Sequence, residues 1–386
     1  MSESPARPSP ARLPLWKRAA VLLLCLLATA SVIPRHVAGR GARALFRGDL
    51  SEQDALARRV VRSVMQQEDL LFYRTGQSRF DGQSAIAIYQ MTLLGLGQIV
   101  LDHPEKKPDY LPAMQRAADR LADPRTLAYA AQVYGAHGVS RMRDGEGHAY
   151  LGYVNLGLSM LRAIEPATRH AALNDRITDE LALRVFAAPT GMTETYPGET
   201  WPPDVAAVVG SIGLHARATG RDRSAELEAW ATRFSKCAVH VSGYLVQRSR
   251  SGTCIPLDAP RGSGTAVGAY FLSFAHRGLS SRLATAVVGM GRRSLFGFGA
   301  IREYADGFEG KGDGNAGPIV LGVSVGATGF GIGAARAHGH ADSFVELART
   351  ASLFGVSVSP GDERGFAIGG ALGNALLLAM LTARPG

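Results

Sequence analysis

Apolar residues recur at spacings of three and four along most of the chain, and the strict alternation of half-buried strands is almost absent. This period is typical of amphipathic helices. Short polar connections such as Asp123-Pro124 and Gly220–Asp222 separate neighbouring segments, which favours antiparallel helix hairpins. The pattern predicts helices over roughly 51–73, 84–101, 110–122, 126–141, 148–164, 169–186, 204–219, 223–238, 263–277, 280–293, 317–337, 341–355 and 370–382.

About twelve helices taken in pairs give six hairpins, so the expected fold is all-α and, more specifically, an (α/α)6 toroid. The predicted helices differ in polarity, as the two layers of such a fold require. Those with charged residues on one side suit an outer layer: 51–73, 223–238 and 341–355. Those that are apolar or rich in glycine around most of their circumference suit an inner layer: 84–101, 148–164, 204–219 and 317–337. A membrane protein with many spans is disfavoured, because polar residues interrupt nearly every apolar run.

One segment breaks the helical pattern. Tyr244–Val246 and Thr253–Ile255 flank a Ser-Arg-Ser-Gly sequence that is typical of a turn. We therefore expect a small β-hairpin insertion near 240–257, lying over one face of the helical domain.

The amino end carries a targeting signal. A basic segment ending at Lys17-Arg18 precedes the apolar run Ala19–Ile33, whose length suits a signal peptide better than a full membrane span. Ala28-Thr29-Ala30 offers a cleavage site, and an uncleaved membrane anchor is the alternative. The expected organisation is a signal peptide or anchor over 1–33, a basic linker over 34–50 and one toroid domain over 51–386, located outside the cytoplasm or anchored facing the periplasm.

Composition narrows the range of partners. The chain has 386 residues and a formal net charge of +9, but much of that charge precedes Asp49. The globular part is therefore close to neutral and lacks a basic stripe with interleaved aromatics, so nucleic acid is not an expected partner. A membrane is expected to contact only the amino-terminal segment. Without residues 1–30, Cys237 and Cys254 remain, either as disulfide partners in an oxidising compartment or as thiols, one of them reactive.

The loop Tyr196-Pro-Gly-Glu-Thr-Trp-Pro-Pro-Asp204 places two carboxylates and two aromatic rings on a connection that proline stiffens. Taken singly, Asp204 reads as a helix cap, Trp201 as a filler of the core and Glu199 as a surface residue. Taken together they indicate a functional cleft, with Glu199 and Asp204 as candidate catalytic groups and Tyr196 and Trp201 as candidate substrate contacts.

Two other segments supply candidates that precede or begin inner helices. His148 could transfer protons near neutral pH, although an exposed residue at a helix end is the simpler reading. Tyr150 and Tyr153 share a helix face beside it, and Asn155 must find a polar partner within an apolar helix, either in neighbouring backbone or in a polar cavity. Asp81 is a candidate acid or base, or a helix cap.

The fourth segment, 306–318, is acidic and rich in glycine. It adds Asp306, Glu309, Asp313 and Asn315 as candidate substrate contacts. The spacing lacks the Asp-x-Asp-x-Asp start of a calcium loop, and the glycines of 326–333 follow no strand and so do not form a dinucleotide fingerprint. We expect neither a metal nor a cofactor.

These motifs resemble a known family. His148 with Gly152-Tyr153, the 196–204 loop, Gly317-Pro-Ile-Val-Leu-Gly-Val-Ser324 and the Ala-Thr-Gly-Phe-Gly-Ile-Gly helix are similar to the α/α-toroid proteins related to linalool dehydratase/isomerase, over about residues 50–380. The resemblance implies an (α/α)6 barrel, an exported location, a central apolar pocket and acid–base chemistry at His148 and Asp81. The family's pocket cysteines have no counterpart in this chain. They are expected in the loop Glu199–Asp204, which contains no cysteine.

The resulting hypothesis is an exported toroid enzyme that uses general acid–base catalysis on a small molecule. A lyase or isomerase that adds or removes water from a hydroxylated apolar, terpenoid-like substrate follows from the resemblance. A carbohydrate-active enzyme is the first alternative, since two carboxylates and aromatic rings suit a sugar. A non-catalytic envelope scaffold is the second, and the missing cysteines favour it. The carboxylates of 199–204 and 306–313 should face one pocket near His148 if the protein is an enzyme.

Overall fold

The computed structural model of the chain describes residues 14–67, 78–143, 147–313 and 316–384, and it describes only the backbone of residues 30, 31 and 78–80. It is 64% helix and 8% strand, which confirms the expectation of a mainly α protein.

The helices follow the sequence periods closely through the first two thirds of the chain. They are α1 (Leu15–Ala38), α2 (Ala42–Arg47), α3 (Leu50–Gln66), α4 (Ser78–Asp102), α5 (Lys107–Leu121), α6 (Pro124–Leu127), α7 (Tyr129–Tyr134), α8 (Leu151–Ile164), α9 (Ala171–Ala187), α10 (Pro202–Thr219), α11 (Ser224–Ala238), α12 (Gly262–Leu272), α13 (Arg277–Ala284), α14 (Val325–Ala337), α15 (Ala341–Phe354) and α16 (Gly370–Leu381). Short 3₁₀ turns cover Pro104–Lys106 and Val139–Arg141, and Thr285–Met290 is π-helical.

Six of the described helices make a continuous series of contacts. Helix α4 packs against α8, α8 against α10, α10 against α12, α12 against α14 and α14 against α16, and α16 packs against α4 again. Helices α10 and α12 are buried around nearly their whole circumference. Where α8 crosses α10, a Cβ added to Gly152 of α8 would lie 2.7 Å from the Cα of Val208 in α10. Glycine is therefore required there for the two backbones to approach.

The other long helices pack against members of this series. Helices α5 and α9 pack on α8, α13 on α12, α15 on α14 and α3 on α16, while α11 touches α9 and α10. In α11, for example, Trp230 and Phe234 are fully buried, whereas Leu183 of α9 and Phe354 of α15 are exposed. Helices of the series alternate in chain order with these other helices, as consecutive helix hairpins do.

The strands are short and form three small sheets. They are β1 (Glu199–Thr200), β2 (Ser249–Arg250), β3 (Arg292–Leu295), β4 (Phe298–Arg302), β5 (Ile319–Val320), β6 (Val323–Ser324), β7 (Ser357–Val358) and β8 (Gly365–Phe366). Strand β1 pairs with β2, β7 pairs with β8, and the third sheet has the order β3-β4-β6-β5, all antiparallel.

The expected hairpin within 240–257 is only partly present. Ser249–Arg250 pairs with Glu199–Thr200 of a distant loop, and inside the segment there are isolated bridges such as Ser249 with Pro256. The sheet over 292–324 was not predicted, and the helices expected over 280–293 and 317–337 end earlier and begin later than expected. Two-residue turns, Phe296-Gly297 and Leu321-Gly322, allow these apolar runs to fold as hairpins instead.

Much of the segment predicted as a basic linker, 34–50, is helical. Residues 42–47 form α2, in which Ala42 and Leu45 are buried, and Phe46 lies 5.4 Å from Phe344 of α15 between ring centroids. Burial of these apolar side chains holds the segment on the domain.

Before α2, helix α1 is long and apolar enough to cross a membrane, and its apolar window is fully exposed. The segment Asp81–Asp102 passes the same test of length and hydropathy but is 89% buried, as in the core of a soluble domain.

The structure joins Cys237, at the end of α11, to Cys254 in a disulfide. This bond ties the β2 segment to an outer helix. Because β2 pairs with β1, the disulfide also restrains the loop that carries Glu199.

Candidate active site

The amino ends of successive inner helices meet at one end of the domain. Gly82 in the first turns of α4 packs against the ring of Tyr129, and Tyr153 in the first turn of α8 donates a hydrogen bond to Asp204 in the first turn of α10. At α12, a Cβ on Gly264 would lie 2.8 Å from Cγ of Pro203. Helix amino ends carry partial positive charge, so this end of the fold suits carboxylates.

Asp204 is the carboxyl that the environment perturbs most clearly. It is 9% exposed. Burial raises its pKa from 3.8 to about 6, and the nearby charge of Glu199 acts in the same direction, whereas the hydrogen bond from Tyr153 lowers the pKa. A carboxyl with this pKa holds its proton through mildly acidic pH and can donate it.

A cluster of tyrosines surrounds this carboxyl. The hydroxyls of Tyr129 and Tyr196 are 2.6 Å apart, and the ring of Tyr196 stacks on Tyr134 with centroids 3.8 Å apart. The charge of Asp204 helps to raise the pKa of both Tyr129 and Tyr196, after burial as the main cause. These phenols therefore stay protonated at physiological pH and remain able to donate hydrogen bonds.

Glu199 lies on β1, and Trp201 follows that strand directly before α10, the helix that carries Asp204. Trp201 Nε1 donates to Glu199 Oε2 at 2.9 Å, and the guanidinium of Arg248 lies 5.7 Å from the centroid of the Trp201 ring. Pairing of Glu199 with Arg250 fixes the backbone here. The loop thus brings together the groups that the sequence singled out, namely Tyr196, Glu199, Trp201 and Asp204.

His148 is buried, not exposed, with 1% of its surface accessible. Its neighbours fix it against the same loop: Gly147 packs on Tyr196-Pro197, and the backbone N–H of Ala149 donates to Glu194 O at 3.0 Å. The expectation of an exposed histidine at a helix end is therefore wrong. Asp81 lies in the first turn of α4 and is half-buried, and its carbonyl accepts a hydrogen bond from Ser84 Oγ.

Tyr150 and Asn155, both predicted as substrate contacts, form hydrogen bonds to neighbouring helices. The hydroxyl of Tyr150 donates to Leu127 O at 2.7 Å. The amide of Asn155 donates to Thr178 and Ser211, each at 2.9 Å, and its oxygen accepts from Asn174 at 2.7 Å. Asn155 therefore satisfies its polar groups by linking α8, α9 and α10, and this arrangement does not require a ligand.

The acidic loop that follows β4 does not face Asp204 with its carboxylates. Asp306 is exposed and pairs with Arg302, and Glu309 is exposed. Asp313 accepts from Arg261 Nη1 at 2.5 Å and from the backbone N–H of Ala316 at 2.8 Å. Asn315 lies outside the described residues. The expectation that the two acidic loops share one pocket therefore finds no support among the described contacts.

A buried carboxyl near this loop was missed by sequence reasoning. Glu303 is fully buried; it accepts from Ser263 Oγ at 2.6 Å and from Ser324 Oγ at 2.5 Å, at the amino ends of α12 and α14. Burial raises its pKa, and Arg261 opposes that rise. No local pattern marks Glu303, because its partners come from segments 40 and 21 residues away along the chain.

Two surface cavities stand apart from this region. One of about 450 Å³ is lined by residues including Arg217, Arg223 and Arg277, and one of about 330 Å³ is lined by Arg143, Arg176 and Glu180 among others. Neither includes a predicted site residue. Within the described part of the chain, no three His, Cys, Asp or Glu side chains are grouped so that they could hold a metal ion.

Comparison with known proteins adds no assignment to this geometry. No protein-family model matches the chain, and no curated protein is significantly similar to it. The resemblance to the linalool dehydratase/isomerase relatives therefore stays a prediction, and the site is interpreted from its own chemistry.

Proposed function

We propose that this chain is an α/α-toroid enzyme in which Asp204 acts as a general acid. The toroid is supported by the contact series from α4 through α8, α10, α12 and α14 to α16 and back to α4, with outer helices between them in chain order. The proposed site lies at the amino ends of the inner helices. The observation that carries the proposal is the buried Asp204 carboxyl, with its raised pKa and its hydrogen bond from Tyr153.

The two neighbouring carboxyls suit opposite roles. Asp204, protonated below about pH 6, can give its proton to a leaving hydroxyl. Glu199 accepts a hydrogen bond from Trp201 and its charge helps to raise the pKa of Asp204, as an ionised neighbour does. Glu199 is thus suited to accept a proton, and His148 and Asp81 are the alternatives at the same end of the fold.

The reaction that uses both roles is loss or addition of water. In dehydration, Asp204 protonates the hydroxyl, the C–O bond breaks with its electron pair leaving on water, and the base takes a proton from the adjacent carbon, whose C–H electrons form the double bond. Phenol rings of Tyr153, Tyr196 and Tyr129 around Asp204 suit a hydroxylated apolar molecule. A glycan is the alternative substrate, because acid and base carboxyls also hydrolyse glycosides.

An extracytoplasmic location accompanies this proposal. It is supported by the exposed apolar helix α1 and by the disulfide between Cys237 and Cys254, since disulfides persist mainly in oxidising compartments.

The test is turnover by the full chain with a panel of terpene alcohols and a panel of oligosaccharides, using Asp204→Asn and the matched control Asp306→Asn. We expect Asp204→Asn to lose at least about a hundredfold in rate, the usual contribution of a general acid, while Asp306→Asn retains activity. The rate of the unmodified chain should fall as the pH rises above about 6. Full turnover by Asp204→Asn would contradict the proposal.

A non-catalytic scaffold is the second candidate, and one observation favours it. The carboxylates of the acidic loop are paired away from Asp204, Asp306 with Arg302 and Asp313 with Arg261. A scaffold would turn over neither panel, and Asp204→Asn would leave its assembly unchanged.

A further inference from the structure

We propose that the end of the domain where α1 emerges is a membrane-docking face, which lies on an anionic bilayer while α1 is retained as an anchor. This docking face is defined by exposed apolar residues on two neighbouring turns: Leu295, Phe296, Leu353, Phe354, Val356 and Ile368. It is separate from the Asp204 site and does not depend on the proposed catalysis.

The two turns of the docking face lie side by side. Gly299 of β4 packs against Glu346 of α15, and Arg349 Nη1, one helical turn later, donates to Gly297 O at 3.0 Å. Helix α15 therefore runs toward the β3–β4 turn, and its last residue, Phe354, lies about 7.5 Å beyond Arg349 along the axis. The backbone N–H of Ile368 donates to Gly355 O at 3.1 Å, which places Ile368 on the same turn.

Helix α1 reaches the domain at this face. A Cβ on Gly297 would lie 2.8 Å from Arg35 Nε, and one on Gly39 would lie 2.7 Å from Arg349 Nε. Arg35 follows the apolar run ending at Ile33 by two residues, about 3 Å along a helix. The Phe296-Gly297 turn is therefore level with the end of the apolar segment, where the surface of a bilayer would lie.

The length of the apolar run strengthens this placement. Ala19–Ile33 spans about 22 Å as a helix, less than the roughly 30 Å hydrocarbon core. A short span draws its flanking residues toward the interface. Val37, which is exposed, and the adjoining docking face would then meet the headgroup region.

Two exposed apolar residues of the docking face have a positive φ, a feature they share with Leu321 outside that face. Phe296 and Val356 have φ of 51° and 52°, a conformation that is unfavourable for residues other than Gly, Asn and Asp. Asn-Gly is the favoured pair in a two-residue hairpin of this kind, whereas this chain has Phe-Gly. Their side chains are 67% and 48% exposed, so packing within the domain does not offset that cost.

Charge near the docking face suits anionic lipid. Arg35 and Arg43 are exposed and lie close enough to Arg349 to lower its pKa further, after burial as the first cause. In the described ranges neither Arg35 nor Arg43 forms an ion pair, and Glu346 is paired with Arg292. Basic residues near an anionic membrane surface are attracted to it.

The experiment measures the depth of nitroxide labels on the full chain in vesicles of phosphatidylcholine with one fifth phosphatidylglycerol, with an intact amino terminus verified by mass. Single cysteines replace Phe296, Phe354 or Leu321 in a Cys25→Ser background, with the Cys237–Cys254 bond oxidised. Leu321 is the matched control: it is 99% exposed at φ 51° in an equivalent turn, but at the opposite end of the β3-β4-β6-β5 sheet.

For each label, the measured quantity is the ratio of its collision rate with lipid-soluble oxygen to its collision rate with a water-soluble nickel complex. We expect this ratio to be at least about threefold higher for the labels at 296 and 354 than for the label at 321. The double variant Phe296→Asn with Phe354→Asn should increase trypsin cleavage at Arg40 at least about tenfold. Leu321→Asn should leave this cleavage unchanged. Asn is a favoured residue in both hairpin turns, so neither variant weakens its turn. Water-like accessibility at all three labels would overturn the proposal and point instead to a protein partner on this face. Equal oxygen accessibility at all three labels would overturn it as well.

Discussion

The raised pKa of Asp204 predicts how the stability of the protein depends on pH. Burial is the main cause, and it raises the pKa from 3.8 to about 6. Because the folded state then holds the proton more tightly than the unfolded state, protonation of Asp204 favours folding. This contribution is fully present below about pH 4 and is lost as the pH rises through about 6. The difference of about 2 pKa units corresponds to about 3 kcal/mol.

Asp204→Asn tests this reasoning, because asparagine keeps the size of the side chain but stays neutral. At pH 4 the variant should match the original chain or be slightly less stable, since the hydrogen bond from Tyr153 changes. By pH 7 the variant should be more stable by up to about 3 kcal/mol. For 386 residues with about 2.1 cal/mol/K per residue, this is about 4 °C in melting temperature.

Thermal unfolding followed by circular dichroism from pH 4 to 8, at constant ionic strength, measures the difference. Asp306→Asn is the control, because Asp306 is exposed and its Arg302 partner lowers the pKa of its carboxyl. That variant should gain no stability as the pH rises. If the difference between Asp204→Asn and the original chain stays flat over this range, or reverses its sign, then Asp204 ionises without a penalty and cannot be the proposed acid.

Three further substitutions and one control, Gly329→Ala, test the packing of the fold by thermal or urea unfolding. Gly152→Ala should lower the free energy of unfolding by about 1–3 kcal/mol, because the added Cβ meets the Val208 backbone at 2.7 Å. The control Gly329→Ala in α14 meets nothing within 4 Å and should raise the free energy of unfolding by up to about 1 kcal/mol. Equal effects of the two substitutions would contradict the close crossing of α8 and α10. Asn155→Ala should cost about 3 kcal/mol by leaving Thr178, Ser211 and Asn174 without their bonds, and a change below about 0.5 kcal/mol would rule out that network. Cys254→Ser should cost about 3 kcal/mol, because the bond closes a loop with a sequence separation of 17, and an unchanged midpoint under non-reducing conditions would show that the loop is restrained without it.

The local pattern of residues was enough to predict most helices, because apolar residues that recur every three or four positions lie on one face of a helix and are buried together. It also located the loop Tyr196–Asp204, because proline and clustered polar residues between apolar segments are visible in sequence. It failed for β3 to β6, where short apolar runs fit either a helix or a strand. There, the turns at Phe296-Gly297 and Leu321-Gly322 fold each run into a hairpin, and pairing of β4 with β6 joins the two hairpins across about twenty residues of chain.

The sequence by itself determined a mainly helical chain with an apolar amino-terminal segment and a polar, proline-stiffened loop before α10. Only the tertiary structure decided which of the candidate groups meet. It placed Tyr153 beside Asp204, committed Asn155 to the contacts between helices, paired Asp313 with Arg261 and buried Glu303 between two helix ends. The physical reason is that a side chain's pKa and hydrogen bonds depend on its neighbours in space, and here those neighbours come from segments far apart along the chain.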